Sequence, residues 1–428
     1  MRESKESFVL IAVDTGDGDA KRSLEELSEL LRTAGGETAG TVIQARDARH
    51  PGTYIGSGKI EEVKELVRET GADGVIADDE LSPAEMKNLE DKLGAPVLDR
   101  TMLILDIFAG RATTREGKLQ VELAQLRYRM TRLAGRGTEL SRLGGGIGTR
   151  GPGESKLETD RRRIRTRIGT LKREVEDLAR HRDVTRQERK KNGVPVIAIV
   201  GYTNAGKSTL LNRLSDAGVL SEDKLFATLD PTTRQVALPS GETALFTDTV
   251  GFIHKLPHHL IDAFRSTLEE AKYADVIAHV VDVSDPSYGL YSDVVYRTLS
   301  DLGVVGKPVI TVYNKYDVVE KEAEKAKADA GEVRMIPKDP KAEFTVRASA
   351  LTGEGIPEFL KAVETVLGEG KVLFEIELPF SRAGEIQAIR KYGQLIREEY
   401  TENGIFIRAK APARVRDRLI SLEAESDQ

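Results

Sequence analysis

The first hundred residues alternate between short apolar runs and segments of helical spacing. Apolar runs of this kind predict strands, and leucines three and four positions apart predict helices. The predicted strands are 8–14, 41–45, 74–77 and 95–98, and the predicted helices are 24–31, 59–70 and 83–93. The last helix has a capping box, with Ser82 at the N-cap and Glu85 three residues later. Because strands alternate with helices, residues 1–110 are predicted to form a small parallel α/β domain.

Two stretches downstream carry apolar residues at alternating spacings of four and three. These residues are Leu119, Leu123, Leu126, Met130 and Leu133 in the first stretch, and Ile164, Ile168, Leu171, Val175 and Leu178 in the second. Two such seams predict an antiparallel helical hairpin within residues 111–192, each seam burying the other. Two core helices of a globular bundle would fit the same spacing. The connection, about 135–155, is predicted to be a long loop that is rich in glycine and arginine.

Residues 193–368 carry a third pattern, in which buried strands end in polar motifs. The strand predicted at 194–200 leads into a G-x-x-x-x-G-K-S motif, and helical spacing begins at Thr209. This order of strand, loop and helix is what a phosphate-binding loop requires. The motif residues are Gly201, Tyr202, Thr203, Asn204, Ala205, Gly206, Lys207 and Ser208. We expect Lys207 to reach the β- and γ-phosphates of a nucleotide and the Ser208 hydroxyl to ligate Mg²⁺.

Two further segments are predicted to complete the phosphate and metal site. Segment 226–234 is predicted to be mobile, and Thr228 or a nearby threonine can complete the Mg²⁺ coordination. The candidate residues of this segment are Phe226, Ala227, Thr228, Leu229 and Asp230. A strand then ends in the Asp-x-x-Gly motif Asp248, Thr249, Val250 and Gly251. Asp248 would hold the Mg²⁺ through water, and the Gly251 N–H would meet the γ-phosphate. The candidate catalytic residues are therefore Lys207, Thr228 and Gly251.

The next motif selects the base. A predicted strand ends in Asn-Lys-x-Asp, at Asn314, Lys315, Tyr316 and Asp317. The carboxylate of Asp317 has two acceptors that match the N1–H and the exocyclic amine of guanine, whereas adenine would leave them unpaired. Ser349, Ala350 and Leu351 follow the strand 344–348 and can add backbone contacts to the base. The nucleotide is therefore predicted to be GTP or GDP.

Phe252 occupies the position directly after Asp-x-x-Gly, where Ras-type GTPases have a glutamine that orients the attacking water. A phenylalanine cannot orient water, so we predict slow intrinsic hydrolysis that a partner accelerates. A second glycine-rich sequence, 56–59, lacks the four-residue spacer of a phosphate loop. A plain turn into a helix explains it better than a nucleotide site. Residues 371–428 are predicted to form a small α+β domain.

Composition narrows the classes of protein. The chain is 39% hydrophobic and 31% charged, and it has no cysteine. Disulfides, thiolate metal sites and cysteine nucleophiles are therefore excluded. Since no apolar segment reaches the 18 or so residues of a membrane-spanning helix, we expect a cytoplasmic protein without membrane insertion. We also expect a monomer. Peripheral association with a membrane is left open.

Charge is unevenly distributed. Residues 111–191 contain 23 Lys/Arg and 11 Asp/Glu, so this segment carries +12 within a chain of net charge −6. Such a concentrated basic segment favours a polyanion partner. The arginine-rich run 161–167 and the adjacent glycine-rich loop favour contact with RNA through phosphates, although a solvated charged face is the common alternative.

The whole chain resembles the HflX family of translation-factor-related GTPases. The segments that carry the resemblance are GGGIGTRGPGESKLETDRRR at 144–163, TYIGSGKIEE at 53–62, GYTNAGKS at 201–208 and FATLDP at 226–231. The resemblance implies a factor that binds the large (50S) ribosomal subunit and splits or rescues stalled ribosomes, notably after heat stress. It also implies that Ser208 and Thr228 ligate Mg²⁺, that the glycine-rich loop reaches ribosomal RNA, and that ATP is hydrolysed too. Some related GTPases hold K⁺ with an asparagine at the position of Asn204.

The predicted fold is α/β. A P-loop GTPase domain (193–368) is preceded by a small parallel α/β domain (1–110) and an antiparallel helical hairpin (111–192), and it is followed by a small α+β domain (371–428). The predicted function is a Mg²⁺-dependent GTPase that acts on the ribosome. A ribosome-assembly GTPase shares every nucleotide residue, and a tRNA-modification factor and a nucleotide-sensing scaffold are further alternatives.

Overall fold

The computed structural model describes most of the chain, and the chain divides into two compact units. The described residues are 5–16, 18–140, 152–192, 194–215, 225–226, 231–255, 268–328, 336–368, 371–412, 415–416 and 419. Unit 1 comprises Met1–Arg180, Asp223–Asp230 and His254–Arg265. Unit 2 comprises His181–Glu222, Pro231–Ile253 and Ser266–Gln428. In the part of the chain that is described, no helix combines the length and the apolar character that a membrane crossing needs.

Unit 1 begins with a parallel four-stranded sheet of order β2-β1-β3-β4, which confirms the predicted α/β class. The strands are β1 (Ser7–Asp14), β2 (Glu37–Ala45), β3 (Gly74–Ala77) and β4 (Val97–Asp99). The helices are α1 (Ala20–Ala34), α2 (Ser57–Thr70), α3 (Pro83–Leu93) and α4 (Arg100–Arg111). The predicted capping box is present at α3, where Ser82 Oγ accepts from the Glu85 N–H. Helix α4 was not predicted, because its nearly continuous apolar run has no clear helical period.

The hairpin consists of α5 (Arg115–Leu140) and α6 (Pro152–Asn192). Its predicted seam is confirmed except at Leu133, which is not in the cluster: Leu119, Leu123, Ile168 and Leu171 are buried together, and partly buried apolar residues of both helices pack against them. The predicted loop 135–155 was too long, since both of its ends are helical. A glycine costs a helix only about 1 kcal/mol, which the preceding turns of α5 can absorb, and proline is well tolerated in the first turn of α6. Residues 141–151 lie outside the described part of the chain.

Unit 2 contains a six-stranded sheet of order β10-β9-β8-β5-β7-β6, in which only the β6–β7 pairing is antiparallel. The strands are β5 (Val196–Gly201), β6 (Thr232–Ala237), β7 (Thr243–Asp248), β8 (Val276–Asp282), β9 (Val309–Asn314) and β10 (Phe344–Arg347). The helices are α7 (Lys207–Leu214), Tyr288–Asp301, Tyr316–Ala328 and Ile356–Gly368. Residues 232–234, predicted to be part of a mobile segment, instead pair with β7, because two threonines and an arginine suit a half-exposed edge strand.

A three-stranded antiparallel sheet of order β11-β13-β12 follows, which confirms the predicted α+β character of the last segment. The strands are β11 (Lys371–Leu378), β12 (Gln394–Tyr400) and β13 (Ile405–Pro412). The helix predicted at 382–391 is split into a 3₁₀ turn, Phe380–Glu385, and a short α-helix, Ile386–Tyr392. Ile386 and Ile389 pack with the inward residues of β11 and β13 in a small core of their own.

Candidate functional site

The G-x-x-x-x-G-K-S loop joins the carboxyl end of β5 to the first turn of α7, as predicted. Gly206 has φ +92°, in the left-handed region that favours glycine, and a Cβ there would lie 2.1 Å from Asn314 Nδ2. Asn204 is also left-handed, with φ 59°, which asparagine tolerates better than most residues. The loop therefore wraps around the N-terminus of a helix, where N–H groups and the helix dipole favour an anion.

The Lys207 amine is buried inside this loop. Its Nζ donates to the Tyr202 carbonyl oxygen at 2.7 Å, and the residue is 6% exposed. Burial lowers the pKa of Lys207 to about 8, and the nearby Asp248 carboxylate opposes that effect. The loop thus holds a cation whose hydrogen-bond acceptor is a neutral carbonyl of the loop itself.

Ser208, in the first turn of α7, contacts Asp248, the last residue of β7. The Ser208 Oγ donates to Asp248 Oδ2 at 2.7 Å, and the neighbouring Thr249 Oγ1 donates to the Ile199 carbonyl at 2.8 Å. A hydroxyl and a carboxylate oxygen are hard donors of the type that Mg²⁺ takes. The donor atoms of these two residues suit a magnesium ion; that Ser208 ligates it directly and Asp248 through water stays a prediction.

The Asp-x-x-Gly motif lies directly against the phosphate loop. A Cβ on Gly251 would be 2.9 Å from Thr203 Cα and 3.0 Å from Lys207 Nζ. Phe252 forms a parallel bridge with Tyr202: its carbonyl accepts from the Thr203 N–H at 2.8 Å, and its N–H donates to the Gly201 carbonyl at 3.1 Å. The Phe252 side chain is 2% exposed. Its backbone is thus tied to the loop while its ring is held away from water.

The base-selection motif is tied to both the phosphate loop and the loop at 349–351. Asn314 Nδ2 donates to the Ala205 carbonyl at 2.8 Å, and Asn314 Oδ1 accepts from the Ala350 N–H at 2.9 Å. The Tyr316 N–H donates to the Ala348 carbonyl at 3.1 Å. Asn314 therefore connects three separate predicted segments through one amide group.

Lys315 and Asp317 have ionic partners of their own. Lys315 has φ 61°, and its Nζ lies 2.6 Å from Asp282 Oδ2. Asp317 Oδ2 lies 3.6 Å from Lys321 Nζ. In the adjoining turn, Ser349 Oγ accepts from the Thr352 N–H at 3.1 Å. Ser349 and Ala350 are buried, and Leu351 is exposed.

Arg213 contacts the same turn, and sequence reasoning missed it. Its Nε donates to the Ala350 carbonyl at 3.2 Å, and its Nη2 donates to the Leu351 carbonyl. An arginine near the end of an amphipathic helix is ordinary, so no sequence signal singles it out. Ala350 and Leu351 lie 137 and 138 positions after Arg213 in the chain.

Four of the predicted residues, Ala227, Thr228, Leu229 and Asp230, lie outside the described residues. Thr228 therefore keeps its predicted role only as an expectation. Phe226, which precedes them, is described as part of unit 1. Its ring packs edge-on against Phe108 of α4, with centroids 4.6 Å apart.

Unit 1 also contains a buried charged cluster that includes the residues following Ile253. Lys255 Nζ lies 2.5 Å from Asp78 Oδ2 and 3.0 Å from Asp79 Oδ1. Arg100 donates to Asp78 Oδ1 at 2.9 Å and to the His254 carbonyl at 3.2 Å. Burial by itself would raise the pKa of Asp78, but Arg100 and Lys255 outweigh it and hold that pKa below its usual value. No sequence motif indicated this cluster.

The short glycine sequence at 56–59 is engaged in local contacts. The Gly56 N–H donates to Gln44 Oε1 at 2.8 Å, and Lys59 Nζ pairs with Glu62 at 2.7 Å. Both groups that would recognise a phosphate are therefore used within unit 1, which agrees with a plain turn at the start of α2.

Family models match three consecutive stretches of the chain. Their descriptions are GTP-binding GTPase N-terminal for residues 21–109, GTP-binding GTPase Middle Region for 111–189 and 50S ribosome-binding GTPase for 196–315. A GTPase HflX of Lacrimispora saccharolytica is 60% identical over 414 residues, which cover 96% of this chain and 95% of that protein. The chain belongs to the HflX family. It is a GTPase, as the sequence predicted, and its GTPase domain binds GTP and GDP.

Another relative and a solved structure are similar to most of the chain. The GTPase HflX of Escherichia coli is 42% identical over 396 residues, 91% of each chain. A crystal structure of a GTP-binding protein from the archaeon Sulfolobus solfataricus, in complex with GDP, is 24% identical with a TM-score of 0.42. That comparison covers 85% of this chain and 98% of the archaeal one.

Proposed function

We propose that this HflX-family GTPase binds the large ribosomal subunit and splits or rescues stalled ribosomes, and that GTP hydrolysis times its release. The observation that carries the proposal is the arginine run on α6, next to the connection of the hairpin, in a chain whose GTPase stretch matches a model described as 50S ribosome-binding. Heat or a similar stress is the proposed setting, as the family resemblance implies.

The charge of the hairpin supports RNA as its partner. Arg162 and Arg163 are exposed on α6. Part of this charge is neutralised, since Arg163 lies 3.8 Å from Asp160 and Arg167 pairs with Glu122 at 2.7 Å. Exposed arginines bind phosphates through charge-assisted, bidentate hydrogen bonds. The hairpin therefore combines a rigid apolar seam with arginines that remain available to a polyanion.

We assign the nucleotide roles as follows. Lys207 and the N–H groups of the phosphate loop would bind the β- and γ-phosphates and stabilise the charge that develops during hydrolysis. Ser208 and Thr228 would ligate Mg²⁺ and Asp248 would hold it through water; the ion, when bound, neutralises charge on the phosphate oxygens. The Gly251 N–H would meet the γ-phosphate. Asn314, Asp317 and the backbone at 349–351 would recognise guanine.

Asn204 is the proposed residue for K⁺. Its side chain is exposed, and an amide oxygen is a suitable donor for this ion. If Asn204 holds K⁺, replacing KCl by NaCl should slow GTP hydrolysis in the original protein and have no effect on Asn204→Ala. Equal salt responses of the two proteins would reject this role.

The first test measures GTP hydrolysis with and without 50S subunits over a range of salt concentrations. We expect the subunits to accelerate hydrolysis, because Phe252 cannot orient water and a partner must complete the site. The acceleration should fall steeply with salt if the contact is to RNA phosphates. Hydrolysis that ignores the subunits at every salt concentration would contradict the proposal.

A second test concerns the hairpin. Deleting residues 141–151 should abolish capture of 50S subunits while leaving GTP binding intact, and Arg162→Gln with Arg163→Gln should weaken capture. A control that changes Lys325 and Lys361 to glutamine removes the same charge from two helices of unit 2 and should have no effect. Normal ribosome splitting by the deletion variant would overturn the proposal.

Sedimentation distinguishes splitting from assembly, the main alternative. With GTP, a splitting factor converts intact 70S particles into subunits, whereas an assembly factor joins only immature subunits. Co-sedimentation restricted to immature large subunits would favour the assembly role.

A further inference from the structure

Helix α7 contacts the proposed nucleotide site at both of its ends. Lys207 is its first residue and belongs to the phosphate loop, whereas Arg213 is its seventh and contacts the turn at 349–351. At 1.5 Å per residue, the two positions are about 9 Å apart along the helix axis. One rigid element therefore connects the segment proposed for the phosphates with the segment proposed for the base.

Arg213 holds two consecutive peptide groups. Its Nε donates to the Ala350 carbonyl at 3.2 Å, and its Nη2 donates to the Leu351 carbonyl. Because a trans peptide group is planar, its N–H points opposite to its C=O. Fixing the Ala350 carbonyl toward Arg213 thus directs the Leu351 N–H away from it. The Ala350 N–H donates to Asn314 Oδ1, within the base-selection motif.

Side-chain packing gives this turn little support at its tip. Leu351 is 72% exposed, so its side chain does not anchor the backbone. The turn closes on itself through the Gly353 N–H, which donates to the Ser349 carbonyl at 2.8 Å. Arg213 Nε also lies 3.7 Å from the position of a Cβ on Gly353, so the guanidinium covers the turn as well as bonding to it.

We infer that Arg213 is a positioning residue for base recognition: it fixes the backbone at 349–351 so that the Leu351 N–H can bind the 6-oxo group of a guanine nucleotide. The Ser349 N–H donates to the Glu354 carbonyl at 2.9 Å and stays within the turn. This inference rests on the proposed role of Ser349–Leu351 in binding the base. Arg213 would act through the turn and would not touch the nucleotide. It would determine the affinity for the base, and it would not affect phosphate binding or the rate of hydrolysis.

The test compares three ligands of Arg213→Ala by equilibrium binding. GDP has both the 6-oxo group and the exocyclic amine, IDP has the 6-oxo group alone, and pyrophosphate has no base. We expect GDP and IDP to bind about tenfold more weakly than to the original protein, since two hydrogen bonds from a charged donor are lost. Pyrophosphate should bind unchanged. In turnover, KM for GTP should rise while kcat at saturation stays constant.

Matched variants separate this role from a general structural one. Arg213→Lys keeps the charge but cannot engage two carbonyls as a planar fork, so its affinity should be intermediate. Arg297→Ala removes an exposed arginine from the helix Tyr288–Asp301 and should bind all three ligands normally. Thermal unfolding of the ligand-free variants checks that each one is folded.

Each outcome decides the inference. Unchanged GDP and IDP affinity in Arg213→Ala would overturn it, and so would an equal loss for pyrophosphate, which would show that Arg213 acts through the phosphate loop. Asp317→Asn tests the proposed base site independently, because it should weaken GDP more than IDP. If Asp317→Asn has that effect and Arg213→Ala is silent, this inference alone fails. If both are silent, the base site itself is wrong.

Discussion

The Lys207 amine donates its hydrogen bond to the Tyr202 carbonyl, 2.7 Å away, within its own phosphate loop. A neutral carbonyl does little to stabilise a buried ammonium group, so the pKa of Lys207 falls to about 8. A bound polyphosphate would bring several negative charges to the same place. The pKa of Lys207 should then rise.

The first prediction is that nucleotide binding takes up a proton above pH 8. Below that pH the free protein already carries a charged Lys207, so affinity is at its maximum. Above it, the affinity for GDP should fall with rising pH, by up to about tenfold per unit, until the higher pKa of the complex is reached. Calorimetry in buffers of different ionisation enthalpy measures the proton uptake. Equal proton uptake at pH 7 and pH 9 would contradict the prediction.

The second prediction concerns Lys207 itself. Lys207→Ala should reduce GTP affinity at least about 100-fold, because a buried cation that faces the phosphates is lost. Lys361→Ala, which removes an exposed lysine from the helix Ile356–Gly368 of the same unit, should bind GTP normally. Fluorescent-nucleotide titration measures both. Unaltered binding by Lys207→Ala would show that the phosphate loop is wrongly assigned.

The third prediction is that Asp317→Asn shifts the base preference from guanine toward xanthine. One end of the amide is a donor, which cannot accept from both guanine donors but can donate to the 2-oxo group of xanthine. Selectivity for GTP over ATP, which such pairing can raise to roughly 10⁴-fold, should shrink. XTP should bind better than to the original protein. Competition binding with GTP, ATP and XTP provides the test, and an unchanged ranking would count against the role of Asp317.

The fourth prediction is that buried His279 makes unit 2 acid-sensitive. Burial lowers its pKa to about 4, and Asp339, 4.0 Å from its Nδ1, opposes that shift. The unfolded chain therefore binds more protons than the folded one between pH 6.5 and 4. The free energy of unfolding decreases as the pH is lowered through that window. The loss at pH 4 should be about 3 kcal/mol.

Urea unfolding at a series of pH values measures this loss. His279→Gln removes the titrating group and should unfold with a shallower dependence of its free energy on pH between 6.5 and 4. The carboxylates that titrate in the same range contribute to both proteins, so their contribution to the slope cancels in the comparison. Identical slopes for the two proteins would rule out His279 as the cause.

The fifth prediction concerns the charged cluster of unit 1. Asp78→Ala leaves the buried guanidinium of Arg100 and the amine of Lys255 without their shared carboxylate. Because Arg100 keeps its pair with Glu26 and Lys255 keeps Asp79, we expect a loss of about 3 kcal/mol in the free energy of unfolding, the lower end for buried pairs that lose one partner. Glu37→Ala breaks the exposed pair with Lys5 and should cost less than about 1 kcal/mol. Similar losses for both variants would show that the cluster is not a buried network.

Periodicity was most informative where one face of an element is buried. The seam of α5 and α6 and the capping box at Ser82 were predicted from spacing alone and are present in the structure. Helix α4 was not predicted because apolar residues lie on both of its faces. Its sequence therefore lacks the alternation of apolar and polar positions that marks an amphipathic helix. The loop between α5 and α6 was overestimated because glycine and proline weaken a helix without forbidding it.

Along the chain, the order of strand, phosphate loop, Asp-x-x-Gly and Asn-Lys-x-Asp determined the class of domain and its nucleotide, since each motif supplies its chemistry through neighbouring residues. Tertiary structure alone decided that Asn314 joins three segments, that Arg213 holds the turn at 349–351, and that Lys255 meets Asp78. The partners in those contacts are separated along the chain by between 36 and 177 positions. Their side chains have no local pattern, because what selects them is the charge and the hydrogen-bonding groups of partners that only folding brings close.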